Sequence, residues 1–196
     1  MTGADLAEEY LTALGATRPD DLAPLLGAGV PSAAIELAQP AFARITIDGD
    51  LYQPDPDGGA AFVLPVRVDY PETPETEDPD GVLRDGAIVD LLAMHPAHPG
   101  RWALRVGVAE WLGAVEPQYC GPDAVRIWQS PIGWLRSGCA GLVLLSRDLH
   151  DQYGVLTLCS TVVAENSQHA AELRRVIERP WSRPPVIIAG RRRDAA

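Results

Sequence analysis

Four residues in the second half of the chain could carry acid–base or metal chemistry: Asp148, His150 and Asp151 in one short run, and Glu165 further on. Paired carboxylates such as Asp148 and Glu165 can hold Mg²⁺ for phosphoryl transfer or hydrolysis, and a neighbouring imidazole can move a proton. Both groups follow apolar runs that read as strands, and ligands of α/β sheets bind beyond the carboxyl ends of strands. The same residues have a structural reading. Ser146 or Asp148 can cap a following helix, with the nearby acids complementing its amino-terminal dipole.

A second set is Asp90, His95 and His98, whose side chains are metal-ligand types. Pro96 and Pro99 put the two histidines on a turn, which excludes the two-histidine helical geometry of HExxH sites. Any further ligand would have to come from distant sequence, and the alternative is two solvated turn histidines. All five Trp lie after residue 100, interleaved with Arg. Trp102, Trp111, Trp128 and Trp134 with Arg101, Arg105, Arg126 and Arg136 could form a stacking surface for single-stranded nucleic acid or a protein hot spot; the alternative is packing. Cys120, Cys139 and Cys159 lack close CxxC spacing and read as buried thiols.

Several familiar chemistries are excluded. There is no GxxxxGK[ST], no GxGxxG after a strand and no GxSxG elbow. A toprim-type magnesium site needs a Glu strand first and an Asp-x-Asp strand later; here the order is reversed and the Asp-x-Asp is missing. No motif implies an organic cofactor, and none is expected.

The elements that must position these residues are legible in outline. Leu6, Tyr10, Leu11 and Leu14 give a helical stripe over 5–14, with Gly15 placed as a cap. Pro19 and Pro31 open two more short helical pieces, completing an amino-terminal helical cap over 1–40. Strands are expected at 43–47 and 60–68, and a buried one at 87–94 that is interrupted only by Asp90. The run 95–100 reads as a turn, 101–108 as a strand and 109–115 as a helical turn. Beyond residue 122 the pattern alternates: strand 124–128, helix 131–137 capped by Ser130, strand 141–145, helix 148–155, strand 158–164, helix 167–178 and strand 185–189. The expectation is a fold of α+β to α/β class in a single domain over 1–196: helical cap, mixed sheet, and βαβ-like alternation at the carboxyl-terminal end. The acidic, Pro-rich stretch 70–86 reads as a surface loop and 190–196 as a basic tail.

The net charge is −11, unevenly spread. Residues 1–89 carry 17 acids and four Arg, a net −13, whereas 167–196 carry three acids and seven Arg, a net +4. So acidic a chain repels nucleic acid except through its Arg-rich end, where contact is conceivable. No run reaches the ~20 apolar residues of a membrane span, and the start of the chain lacks a secretion-signal pattern, so a cytoplasmic protein with no membrane association is expected.

The segments AIVDLLAMHP, GRWALRVGVAEWLGAV, VRIWQSPIGWLRSGC and GLVLL, within 87–145, resemble uncharacterised proteins of prophages and mobile elements in GC-rich bacteria, found near primase and helicase genes. The resemblance implies a link to mobile-element DNA replication or recombination and brings no catalytic residues. The expected function is a non-enzymatic accessory or interaction protein with a protein partner. The alternatives are a metal-dependent phosphoryl-transfer or hydrolytic enzyme using Asp148, His150, Asp151 and Glu165, and an acidic inhibitor that mimics DNA.

Overall fold

A computed structural model describes residues 3–68, 87–113 and 124–179. The loop expected at 70–86, the strand at 185–189, the tail at 190–196, Cys120 and Trp181 lie outside the described residues.

The fold is α+β, with two sheets among the described residues. The chain opens with α1 (Gly3–Ala16), a single 3-10 turn (Pro19–Leu22), α2 (Ala23–Gly27) and α3 (Ser32–Ala38). Gly15, expected as a cap, lies inside α1, and α3 instead ends on Gln39 in the left-handed conformation, φ 47°, just before Pro40. Then come β1 (Ala41–Asp48), β2 (Leu51–Pro54), β3 (Gly59–Val68), β4 (Ala87–His95) and β5 (His98–Leu104). These close into a barrel in the order β1-β2-β5-β4-β3. All its neighbours are antiparallel except β2 and β5, which run parallel and meet at one pair, Leu51 with Leu104.

α1 lays Leu6 and Tyr10 against a barrel face lined by Ala41, Ala61, Ala93 and Ala103, whose small side chains let the helix approach closely. The Tyr10 hydroxyl donates to the Gln39 carbonyl at 2.7 Å, tying α1 to the end of α3, and the Thr17 hydroxyl accepts the Phe42 N–H at 2.7 Å, tying the end of α1 to β1. One residue before Tyr10, Glu9 accepts from Arg105 Nε at 2.9 Å and from the buried Tyr52 hydroxyl at 3.3 Å. Burial and the adjacent Glu9 carboxylate hold the Tyr52 phenol in its neutral form, its pKa far above the ordinary value.

The second sheet has the order β6-β8-β7-β9, from β6 (Trp111–Leu112), β7 (Ala124–Trp128), β8 (Leu142–Leu144) and β9 (Thr161–Ala164). β7 is parallel to both β8 and β9, and β6 is antiparallel to β8. Three helices connect these strands or follow them: α4 (Pro131–Arg136), α5 (Leu149–Leu158) and α6 (Ser167–Ile177). Val143 faces the core that contains α4, whereas Val125, Ile127 and Leu142 face Leu156 of α5 and Leu173 of α6. So α4 covers one face and α5 and α6 the other. The α4 side of that sheet shares one core with the barrel, where Ile132, Trp134 and Val143 meet Phe62, Leu92, Met94 and Leu104.

Two local expectations are corrected. The strand expected over 101–108 stops at Leu104, because the next five backbone N–H groups turn toward Asp90. The helical turn expected from residue 109 is instead the short strand β6, drawn out by pairing Trp111 with Leu144 and Leu112 with Val143.

Candidate functional site

Asp90 is fully buried, and its carboxylate accepts six backbone N–H groups. Oδ1 takes Leu91 at 2.8 Å, Arg105 at 3.0 Å and Val106 at 2.9 Å. Oδ2 takes Gly107 at 2.8 Å, Val108 at 2.9 Å and Ala109 at 3.3 Å. Successive N–H groups converging on one point make an anion-binding concavity, and here the anion belongs to the chain itself. Asp90 is thus a pin for the loop that links barrel to second sheet, with no lone pair left for a metal. His95 and His98 stack at 5.3 Å across the β4–β5 turn, and among the described residues no three His, Cys, Asp or Glu side chains are grouped to hold a metal ion.

At the carboxyl edge of the second sheet each acid has a structural partner. Asp148 caps α5 by accepting the His150 N–H at 2.6 Å, and Asp151 accepts the Ser146 hydroxyl at 2.7 Å. Glu165 accepts the Gln129 N–H at 3.1 Å and lies beside the first turn of α4. Asp148 follows β8 and Glu165 follows β9, with β7 between them, so the two supporting strands are about 10 Å apart. The structure therefore does not bring the four acid–base candidates together as a paired-carboxylate site. The His150 backbone N–H serves as the partner of the Asp148 cap.

The aromatic and Arg residues are likewise dispersed. Trp134 is buried, its indole N–H donating to the Gly141 carbonyl at 3.1 Å, and Arg105 is held in the Glu9 ion pair; neither offers a stacking surface. Trp128 donates to the Ala140 carbonyl at 2.7 Å and carries the Arg126 guanidinium over its ring at 5.4 Å. Trp102 has Arg147 over its ring at 5.9 Å, and Arg147 also pairs with Asp50. Trp111 is half-buried against the α5–α6 core, Arg136 donates to the Ala28 carbonyl at 2.6 Å, and Arg101 is exposed. Of the thiols, Cys139 is buried and its pKa is pushed up to about 11 by that burial, the opposite of an activated nucleophile; Cys159 is half-buried.

What the sequence reading missed is the switch point of the sheet. β7 leads to α4 on one face and its neighbour β9 leads to α6 on the other, the arrangement that opens a crevice at the strand ends. Gln129, Glu165, Asn166 and His169 meet there. Asn166 caps α6 by accepting the His169 N–H at 2.9 Å and donates to the Gln129 side chain at 3.2 Å. His169 Nδ1 accepts the Glu165 N–H at 3.3 Å, which fixes the neutral ring with its proton on Nε2. Beside it lies an open cavity of about 490 Å³ between α5, α6 and the ends of β7 and β8, floored by Ile127, Leu144 and Leu173.

No family model, no curated protein and no solved structure matches the chain.

Burial lowers the His169 pKa from its ordinary value, while Glu172 and Glu165 pull the other way. With the folded pKa below the unfolded value of about 6.5, the unfolded chain takes up the proton first. Stability is therefore full above about pH 6.5 and falls as the pH drops toward the folded pKa, below which this contribution levels off. His169→Gln, which keeps an acceptor for Glu165, should flatten that segment of a urea-unfolding series between about pH 7.5 and pH 5. An unchanged slope would remove His169 from the account.

Proposed function

We propose that the protein is a non-enzymatic accessory protein that acts by binding a partner protein, in the setting of mobile-element DNA replication or recombination. The observation that carries the first part is that the candidate acids Asp90, Asp148, Asp151 and Glu165 each hold the chain's own backbone or hydroxyl groups. Catalytic carboxylates need lone pairs aimed at a substrate or metal, whereas these are aimed at caps, turns and a loop. The mobile-element setting is supported by the resemblance over 87–145. Contact with nucleic acid is supported by the exposed Arg174 and Arg175 on α6. Among the described residues no helix is long and apolar enough to cross a membrane.

The test pairs binding with mutation. Pull-down with purified protein should capture a replication or recombination protein. Thermal unfolding should show no shift with Mg²⁺ or Mn²⁺. Asp148→Ala should lower stability by about 1 kcal/mol, the usual cost of a lost helix cap, and do nothing else. A metal-dependent hydrolytic or phosphoryl-transfer activity that Asp148→Ala and Glu165→Ala both abolish in folded protein would replace this reading with the enzymatic one.

A further inference from the structure

We propose that the cavity between α5, α6 and the ends of β7 and β8 is a binding site for a small organic anion, one with a flat apolar body and a single carboxylate or phosphate group. The inference stands apart from the accessory-protein reading and survives its failure.

Its volume, about 490 Å³, falls within the range of natural small-molecule pockets, and the floor of Ile127, Leu144 and Leu173 suits an apolar body. The polar groups around that floor are few and specific. His169 is 95% buried, being 5% exposed, and lines the cavity. Its Nδ1 is engaged by the Glu165 N–H, so Nε2 carries the proton, and Nε2–H has no partner among the described residues. A buried donor left unpaired is costly, and an acceptor on a ligand removes that cost. Arg175, almost two turns farther along α6, lines the same cavity and forms no ion pair among the described residues. Gln152 donates its amide to the Ser146 carbonyl, leaving Oε1 as an acceptor toward the cavity it lines.

The charge balance chooses the sign. Arg175 lines the cavity with no ion pair among the described residues, whereas the one carboxylate in the lining, Glu172, is engaged by Gln168. An anion gains from the Arg175 guanidinium and from the His169 N–H, whereas a cation would meet a like charge and a donor. The apolar floor excludes a bare inorganic ion as the best-fitting ligand, since it would leave that surface uncovered.

Calorimetric titration of the full chain with benzoate, indole-3-acetate, adenosine 5′-monophosphate and inorganic phosphate tests the proposal. At least one aromatic anion should bind with Kd below about 1 mM, at least tenfold tighter than inorganic phosphate. Arg175→Gln should weaken that binding about tenfold without moving Tm. Leu149→Trp, at a rim position that is 39% exposed and so tolerant of change, should block it. In ¹H–¹⁵N spectra the His169 Nε2–H resonance should shift on saturation with the bound probe. The site is refuted if no organic probe binds at about 10 mM, or if binding ignores both substitutions.

Discussion

Asp90→Asn is expected to destabilise the protein by about 4 kcal/mol, a large share of the 5–15 kcal/mol that holds a typical domain folded. The substitution keeps the shape and replaces one oxygen by a donor. In the structure each oxygen takes three backbone N–H groups, so whichever oxygen is lost, three N–H groups face an N–H₂; of the six, the Arg105 N–H keeps a second acceptor, the Leu91 carbonyl at 2.8 Å. An unpaired donor costs up to about 1–3 kcal/mol when buried and less where partly exposed, and the concavity also loses the negative charge it surrounds. Relaxation of the loop recovers part of that. At 2–4 °C per kcal/mol for a chain of this size, Tm should fall by about 10 °C. Hydrogen exchange should locate the damage at the amides of 105–109. Denaturant unfolding decides the matter: a loss under about 1 kcal/mol would mean that Asp90 does not hold the loop.

The second large effect is expected at Gly141, where backbone geometry and space act together. Its φ is +82°, and a Cβ placed there would lie 2.3 Å from the Arg126 carbonyl oxygen. The left-handed conformation alone costs a non-glycine residue about 1–2 kcal/mol. The contact must also push β8 away from β7 one residue before their first pair, Ile127 with Leu142. It would also disturb the Gly141 carbonyl that receives the Trp134 indole. Gly138 provides the control, with φ +78° and nothing within 4 Å of its would-be Cβ. Gly138→Ala should cost about 1–2 kcal/mol and Gly141→Ala at least about 4 kcal/mol. Equal losses in chemical denaturation would show that the strand contact does not matter.

Much of the carboxyl-terminal alternation is legible because its signals are local. Ser130 followed by Pro131 marks the start of α4, and Asp148 the start of α5, by side-chain chemistry that acts over three residues. β2 carries no such signal, because Leu51–Pro54 is four residues long, wedged between Asp-Gly-Asp and a turn; pairing with β1, and at Leu51 with β5, makes it a strand. The position of Asp90 in an apolar strand announces a buried acid that must find partners. That five of its six partners are N–H groups 15 to 19 residues away depends on how β4 and β5 align, which no short window contains. For the same reason, no local signal joins Gln129 and His169 to Glu165. Their meeting depends on the parallel register of β7 with β9, set across a helix, a strand and another helix.

The core that Phe62, Leu92 and Met94 share with Trp134 and Val143 has a consequence for how the chain can be divided. A cut in the loop after β5 would leave both fragments with an apolar wall facing water. Calorimetric and van't Hoff enthalpies should therefore coincide in a single transition for the intact protein. It follows that neither the barrel nor the second sheet is a transplantable module: each is half of a structure whose other half supplies its solvent-excluding lining.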